Sequence, residues 1–521
     1  MKKFLIPTAA AVAAAALGTP YYLGIKAEES LTAQQKLLQE SGFLTVESRQ
    51  YERGWFTSTE TTVIRLKPTL LHNTEKYLPD NLKTVLQQPV TIVNHIKHGP
   101  FAGGVGIRAY IETEFKYHPE AEKVLSRFFG GQTPVNMTNT VYFNGSGEIS
   151  LNVPAFDYEE LSGIKLNWKG LGGTTAYGNN FDTYRHDYLA PALQVKLADK
   201  GDIAFNGLHF QSETTDGSNR LSLGKSSLML DNFLMQWKEG IDYNVKLNEL
   251  VNLVTDLQIG AFINPTGTVA PSKIEVGKLK FATDTREADR FINSEGRFQF
   301  EKLAYGNEQY GPLDIHIAAE HLDAPSLLAL KNKLAEIAGR NMSESEIQNT
   351  LIQTAKTEAS GLFTQDPVLN VKTFTFSMPQ GEVDVKGSLA FKGLTVKDMD
   401  NLADMLGKTH ADFDIRVPQK MLEQLAVNQA RSIFSVNPED EATGRANIDD
   451  INETLRLMVD NTLQVMARDQ YLTLDKNNVR TRLTLQDNTL KLNGKVLERT
   501  PEPEISESDL LPEDSETQAA Q

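Results

Sequence analysis

The feature that most constrains this chain is an alternation of apolar and polar residues with a period of two, which begins at Phe43 and returns through most of the sequence. It is visible in "FLTVESRQYERGWFTSTETTVIRLK" (43–67), "MTNTVYFNGSGEISLNV" (137–153), "GDIAFNGLHFQSE" (201–213) and "SKIEVGKLKFATD" (272–284). It returns in "VLNVKTFTFSMPQGEVDVKGSLAFKG" (368–393) and "NVRTRLTLQDNTLKLNGKVL" (478–497). An extended backbone sends successive side chains to opposite faces, so each segment reads as a strand with one face suited to a core. The first segment is a hairpin bending near Arg53-Gly54. Asn206-Gly207, Lys386-Gly387 and Asn493-Gly494 each interrupt such a pattern, as a tight turn or as a bend within a strand. They share no fixed period, so no solenoid is expected.

Helical spacing is confined to a few places. "SLTAQQKLLQESG" reads as a short helix that Ser30 caps and Gly42 ends, continuous with or separate from the segment before it. In the second half, "SLLALKNKLAEIAGRN" (326–341) and "ESEIQNTLIQTAKTEASGLF" (344–363) place Leu327, Leu330, Leu334 and Ile337, then Ile347, Leu351 and Ile352, at helical intervals. "QKMLEQLAVNQARSIF" (419–434) and "DDINETLRLMVDNTLQVMA" (449–467) form a second amphipathic pair, with Pro418 before the first helix and Asp449 or Asp450 near the start of the second.

The N-terminus carries a different signal. "MKKFLIPTAAAVAAAALGTPYYLGI" has Lys2 and Lys3 and then no charge from Phe4 to Ile25. As a helix that run is about 33 Å long, enough to span a bilayer. The lysines favour a cytoplasmic start, and Tyr21 and Tyr22 suit the far membrane interface. Two readings fit, a retained signal anchor and a cleaved signal peptide with small-residue cleavage sites in Ala9 to Ala16; the anchor is preferred.

Composition removes whole classes of function. With 52 Lys plus Arg against 68 Asp plus Glu, the formal charge of the 521 residues is -16, so a phosphate backbone is repelled and no nucleic-acid partner is expected. Cysteine is absent, which excludes disulfides, thiolate metal sites and cysteine nucleophiles. The closing residues 501–521 combine proline, serine and acid without a basic residue and read as a disordered acidic tail.

Candidate chemistry is sparse. In "NHIKHGPF", His95 and His98 stand three residues apart, but the β-branched run before them makes a strand, where that spacing sends the rings to opposite faces and no metal is shared. "GGVGIRA" from Gly103 resembles part of a dinucleotide loop, yet strand alternation follows where a helix should open. Asp182, Arg185, His186 and Asp187 gather acid, base and cation, and read as a solvated loop. Asp412 and Asp414 share a strand face without the further oxygen ligands a divalent cation needs. No catalytic residue, cofactor or metal site is assigned.

The paired signatures "YERGWFTS" (51–58) and "HGPF" (98–101) resemble those of the bacterial YdgA-like family, domain of unknown function 945. "GGQTPVNMTNTVYFNGSGEISLNVPAF" (130–156), "DPVLNVKTFTFSMPQGEVDVKGSLAF" (366–391) and the closing "LTLQDNTLKLNGKVL" (483–497) extend the similarity across nearly the whole chain. Tyr51, Arg53, Gly54, Phe56, His98, Gly99, Pro100 and Phe101 carry the two signatures, and the family supplies no catalytic role for them. The resemblance implies a single-pass bacterial inner-membrane anchor, a periplasmic body and self-association as a homodimer.

The expected architecture is α+β. It has mainly antiparallel, twisted and curved sheets, two amphipathic helix pairs in the C-terminal half and one N-terminal transmembrane helix. The expected regions are the anchor 1–26, a β-rich region 27–235, an α+β region 236–500 and the tail 501–521. The expected role is a non-enzymatic envelope binding or scaffolding protein. A lipid-handling module with an apolar β-groove is the alternative, its architecture similar in pattern to AsmA-like lipid-transport proteins, and an envelope hydrolase is the rival from another class.

Overall fold

The computed structural model describes residues 2–40, 44–67, 85–99, 102, 107–237, 273–338, 342, 344–425 and 448–497, with α1 side chains at 19–36, 38 and 39 and those of the last helix from Glu453 onward. Gly42, Pro100, Phe101, residues 103–106, 426–447 and the tail 501–521 lie outside the described residues. Helix α1 runs unbroken from Lys2 to Glu40, so the uncharged segment and the helix after it are one rod. Ser30 does not cap a separate helix: the residues around it carry no helix stop, and its Oγ donates to the Lys26 carbonyl of its own helix at 3.1 Å. Among the described residues, no helix is long and apolar enough to cross a membrane.

Among the described residues twenty-four strands form one sheet, and every pairing in it is antiparallel, as alternation joined by short turns favours. β1 (Leu44–Arg53), β2 (Thr57–Leu66), β3 (Val90–His98), β4 (Ile107–Lys116), β5 (Asn136–Tyr142) and β6 (Gly147–Val153) pair in sequence order. The hairpin β7 (Phe156–Glu159) and β8 (Ile164–Trp168) lies beside β9 (Leu171–Tyr177), and both β8 and β9 pair with β10 (Thr183–Leu197). Then come β11 (Gly201–Asp216), β12 (Ser222–Trp237), β13 (Lys273–Ala288) and β14 (Phe291–Phe300). A second side hairpin, β15 (Lys302–Tyr305) and β16 (Glu308–Tyr310), pairs with β13, while β17 (Leu313–Asp323) continues the sheet from β14. β18 (Val368–Met378), β19 (Gly381–Phe391), β20 (Thr409–Pro418) and β22 (Asn478–Gln486) follow, with β21 (Thr473–Asp475), β23 (Thr489–Leu492) and β24 (Lys495–Val496) at the closing edge.

The first helix pair is present as Ala324–Ala338 and Glu344–Lys356, which pack on each other. Asp323 caps it, accepting from the Ser326 backbone N–H at 3.2 Å and from its Oγ at 2.6 Å. Of the second pair, the helix Ile448–Arg468 and the helical residues 419–425 are described; Leu422, Val459 and Met466 pack against the buried cluster of Leu463, Leu472 and Val479. Pro418 ends β20 immediately before those helical residues.

The three Gly dipeptides resolve differently. Asn493-Gly494 is the tight turn between β23 and β24, with both residues at positive φ (47° and 81°). Gly387 lies within β19, opposite the register shift between Val371 and Phe374. Gly207 belongs to a crease: Pro191, Gly207, Asp231 and Lys278 lie in line across four strands, and none takes part in the ladder pairing on either side. Gly207 and Lys278 are left-handed there, at φ 67° and 53°. A left-handed residue resets the alternation, so Val276 before the crease and Phe298, cross-strand from Phe281 beyond it, join one apolar cluster. That cluster, with Phe300, Tyr310, Leu313, Ile315 and Phe376 buried, is the largest core.

Only glycine fits the crease without cost, because a Cβ at position 207 would fall 2.2 Å from Asp231 Oδ2, which holds Lys278 Nζ at 2.7 Å through its other oxygen. Gly207→Ala is expected to destabilise the fold by about 1–2 kcal/mol, the cost of a left-handed L-residue, read as a lower urea midpoint with an unchanged slope.

Candidate functional site

The described motif residues converge where α1 meets the sheet. At the tip of the first hairpin Arg53 pairs with Ser58, and the Gly54 N–H donates to the Thr57 carbonyl at 2.9 Å. A Cβ on Gly54 would lie 2.4 Å from that oxygen, so the turn admits only glycine. The Phe56 carbonyl accepts from the His98 N–H at 2.9 Å, which ties the hairpin tip to the end of β3.

His98 is the centre of the arrangement. Its side chain is buried while that of His95 is half exposed beside Glu114, so the two histidines face opposite sides as strand geometry requires. The Pro20 carbonyl can only accept, so His98 Nδ1 donates to it at 2.9 Å, leaving Nε2 to accept from Ser58 Oγ at 3.0 Å. Burial lowers the His98 pKa from its ordinary 6.5, which keeps this neutral tautomer. The ring lies against Gly24 of α1, where a Cβ would be 2.7 Å from Cε1. Gly99 (φ 131°) sits beside Pro20.

The other motif residues grip the same helix. Tyr51 packs against Ala27, Leu31, Ile96, Ala109, Ile111 and Val141, and burial pushes its hydroxyl pKa up. Arg53 donates through Nε to Glu28 Oε2 at 2.9 Å and lies 5.9 Å from the centre of the Tyr21 ring. Phe56 itself is exposed. Further from the turn the seam is polar: Ser58, Glu60 and Thr62 are the buried positions of β2. Glu60 accepts from Arg49 Nε at 2.7 Å and Asn94 Nδ2 at 2.8 Å, and Gln35 of α1 donates to Thr62 Oγ1 at 2.8 Å. Arg108 reaches Ser30 Oγ at 3.0 Å and the Phe143 carbonyl at 2.7 Å. Sequence reasoning missed Glu60, Gln35 and Arg108, because a strand whose inward positions are polar reads the same as one whose polar face is solvated.

The family model described as a bacterial protein of unknown function, DUF945, matches residues 1–498. The chain belongs to that family. No curated protein and no solved structure matches it.

Elsewhere in this DUF945 chain the remaining candidates are dispersed. Arg185, His186 and Asp187 are not in a loop: strand β10 extends through them because their alternation continues that of Tyr184 and Tyr188. The strand sends His186 to one face, where Nδ1 meets Thr175 Oγ1 at 2.9 Å, and Asp187 to the other, where it meets His209 Nε2 at 2.7 Å. They do not form an acid–base pair. They border a trough of about 630 Å³ whose lining also includes the charged side chains of Asp284, Glu295 and Arg297. Asp412 is held by Arg482 through two bonds of 2.8 and 2.6 Å, so an arginine occupies the place considered for a cation.

Helix propensity and packing oppose each other at Gly24. Gly24→Ala gains up to about 1 kcal/mol of helix propensity but overpacks His98 at about 1–3 kcal/mol, a net destabilisation in the native chain. In a His98→Ala background the same substitution is expected to become stabilising; thermal unfolding of the four chains of this cycle checks the sign change.

Because the His98 pKa is lowered in the fold, the unfolded chain binds more protons near and below pH 6.5. Its stabilisation is complete above 6.5 and is lost as pH falls through the folded value. His186, whose pKa burial also lowers, has the same sign. His98→Gln is therefore expected to lose part of the decline in melting temperature below pH 6.5 and to keep the part due to His186.

Proposed function

We propose that this chain is a non-enzymatic binding protein of the bacterial inner membrane, anchored by residues 4–25 with its body in the periplasm, and that its sheet holds the hydrocarbon part of a lipid-like amphiphile. The anchor is supported by the uncharged run between Lys3 and Lys26 and by the unbroken α1. A non-catalytic role is supported by the side chains best placed for acid–base work, which are committed to other partners: His186 to Thr175, Asp187 to His209 and Glu213 to Arg185.

One observation carries the binding reading. Directly paired residues Tyr188, Phe210, Leu228, Phe281, Phe298 and Ile315 form an apolar row from β10 to β17. Ile315 is only 7% exposed, whereas Phe210 and Phe281 are 37% and 44% exposed, so a buried core runs out into an open apolar face. From Tyr188 to Phe298 the row crosses four strand intervals, about 19 Å, slightly more than half the ~30 Å hydrocarbon thickness of a bilayer and so close to one extended acyl chain. Covering a large apolar side chain is worth about 1.5–3 kcal/mol.

The full chain, extracted from membranes and analysed by mass spectrometry, is expected to carry acylated lipid. Phe210→Asp with Phe281→Asp is expected to lose it at least tenfold while the folded chain is retained. A native chain free of lipid, or a folded variant that retains it, would overturn the reading; a protein recovered on this face instead would favour a scaffold.

A further inference from the structure

We infer that the tip of the β1–β2 hairpin is a second membrane contact, with Trp55 and Phe56 lying in the headgroup region of the leaflet from which α1 emerges. The proposal rests on the anchoring of residues 4–25. Four exposed aromatic residues from two segments meet here: Tyr21 and Tyr22 at the end of the uncharged run, 40% and 57% exposed, and Trp55 and Phe56 on the hairpin, 51% and 53% exposed. The Tyr21 and Trp55 ring centres are 5.3 Å apart. The hairpin therefore stands at the level on α1 where the apolar run stops, one helical turn before the first charge at Lys26.

The tip cannot drift from that level independently of α1. His98 bonds the Pro20 carbonyl and takes its own backbone partner from Phe56, so the helix, the strand end and the hairpin tip form one unit. Wherever Tyr21 lies in depth, Trp55 lies beside it.

The chemistry of the patch commits it to a bilayer. Indole and phenol rings favour the interface, where one end is apolar and the other wet. The nearby cations are placed to meet anionic headgroups: Arg53 lies over the Tyr21 ring and Lys26 Nζ is 6.0 Å from the centre of the Tyr22 ring. Their carboxylate partners, Glu28 and Glu29, lie further along α1 from the apolar run. The consequence is a body held on the membrane by two points, helix and hairpin, instead of swinging on a single tether.

The test uses the native full chain reconstituted into vesicles of phosphatidylcholine and phosphatidylglycerol, with and without bromine on the acyl chains close to the headgroup. Of the three tryptophans, Trp168 and Trp237 belong to β8 and β12. Brominated vesicles are expected to quench one component of the emission, and Trp55→Phe, a mild change at an exposed site, is expected to abolish that component. If native and Trp55→Phe chains float with the vesicles and lose equal fractions of their emission, the hairpin contact is overturned while the anchor stands. If the native chain does not float with the vesicles at all, the anchor fails and the contact with it.

Discussion

The seat of α1 on the sheet depends on how closely the His98 ring can approach Gly24. A buried imidazole that spends both nitrogens, one on the Pro20 carbonyl and one on Ser58, is satisfied only if the helix comes near enough for the bond, and only a residue without a side chain permits that approach. Once this contact is made, the helix lies along the buried side of β2, and Arg53, Tyr51 and Arg108 reach their partners as consequences. The rest of the seam is polar, with Glu60, Thr62 and Gln35 buried. Burying such groups adds little net stability even when each is bonded. What it supplies here is register: a helix shifted by one turn would strand Gln35 from Thr62, Thr32 from Arg49 and Ser30 from Arg108.

This division of labour explains why the motif residues cluster at one end of the molecule while the bulk of the apolar area lies elsewhere. Among the described residues the largest core, around Phe300, Tyr310 and Phe376, contains no residue of α1 or of the first six strands. The N-terminal strands instead share a small cluster with the helix, built from Ala27, Leu31, Ile96, Ala109, Ile111 and Val141. One part of the sheet is specialised to hold the helix, and the other to present apolar surface.

Much of this was legible in the sequence, and the reasons it was or was not are local. Strands, the first hairpin and the helix pairs announced themselves through period and turn residues, which act within a few positions. The opposite facing of His95 and His98 followed from strand geometry alone. What escaped was non-local. The partner of Asp412 was hidden because Arg482 lies seventy residues away, and Arg185 to Asp187 looked like a loop because their neighbours across β9 and β11 could not be seen. The role of Gly24 was equally hidden: an isolated glycine in a helix is ordinary until the ring that requires it is placed. Asn206-Gly207 was recognisable as a break, but a crease exists only when several strands break in line.

A sheet of this size needs such a crease. Adjacent strands rotate by about 20–25°, and twisted open sheets beyond about ten strands curl or divide. Here the line through Pro191, Gly207, Asp231 and Lys278 interrupts the ladder and, by resetting the alternation, keeps apolar residues from both sides of it in one cluster. Without the reset, Val276 and Phe281 would face opposite sides of β13, and the apolar residues on either side of the crease would divide between the two faces of the sheet. The same backbone device that lets so long a sheet fold is thus what gives it a single apolar face, and the exposed rings of Phe210 and Phe281 lie where that face extends beyond its own core.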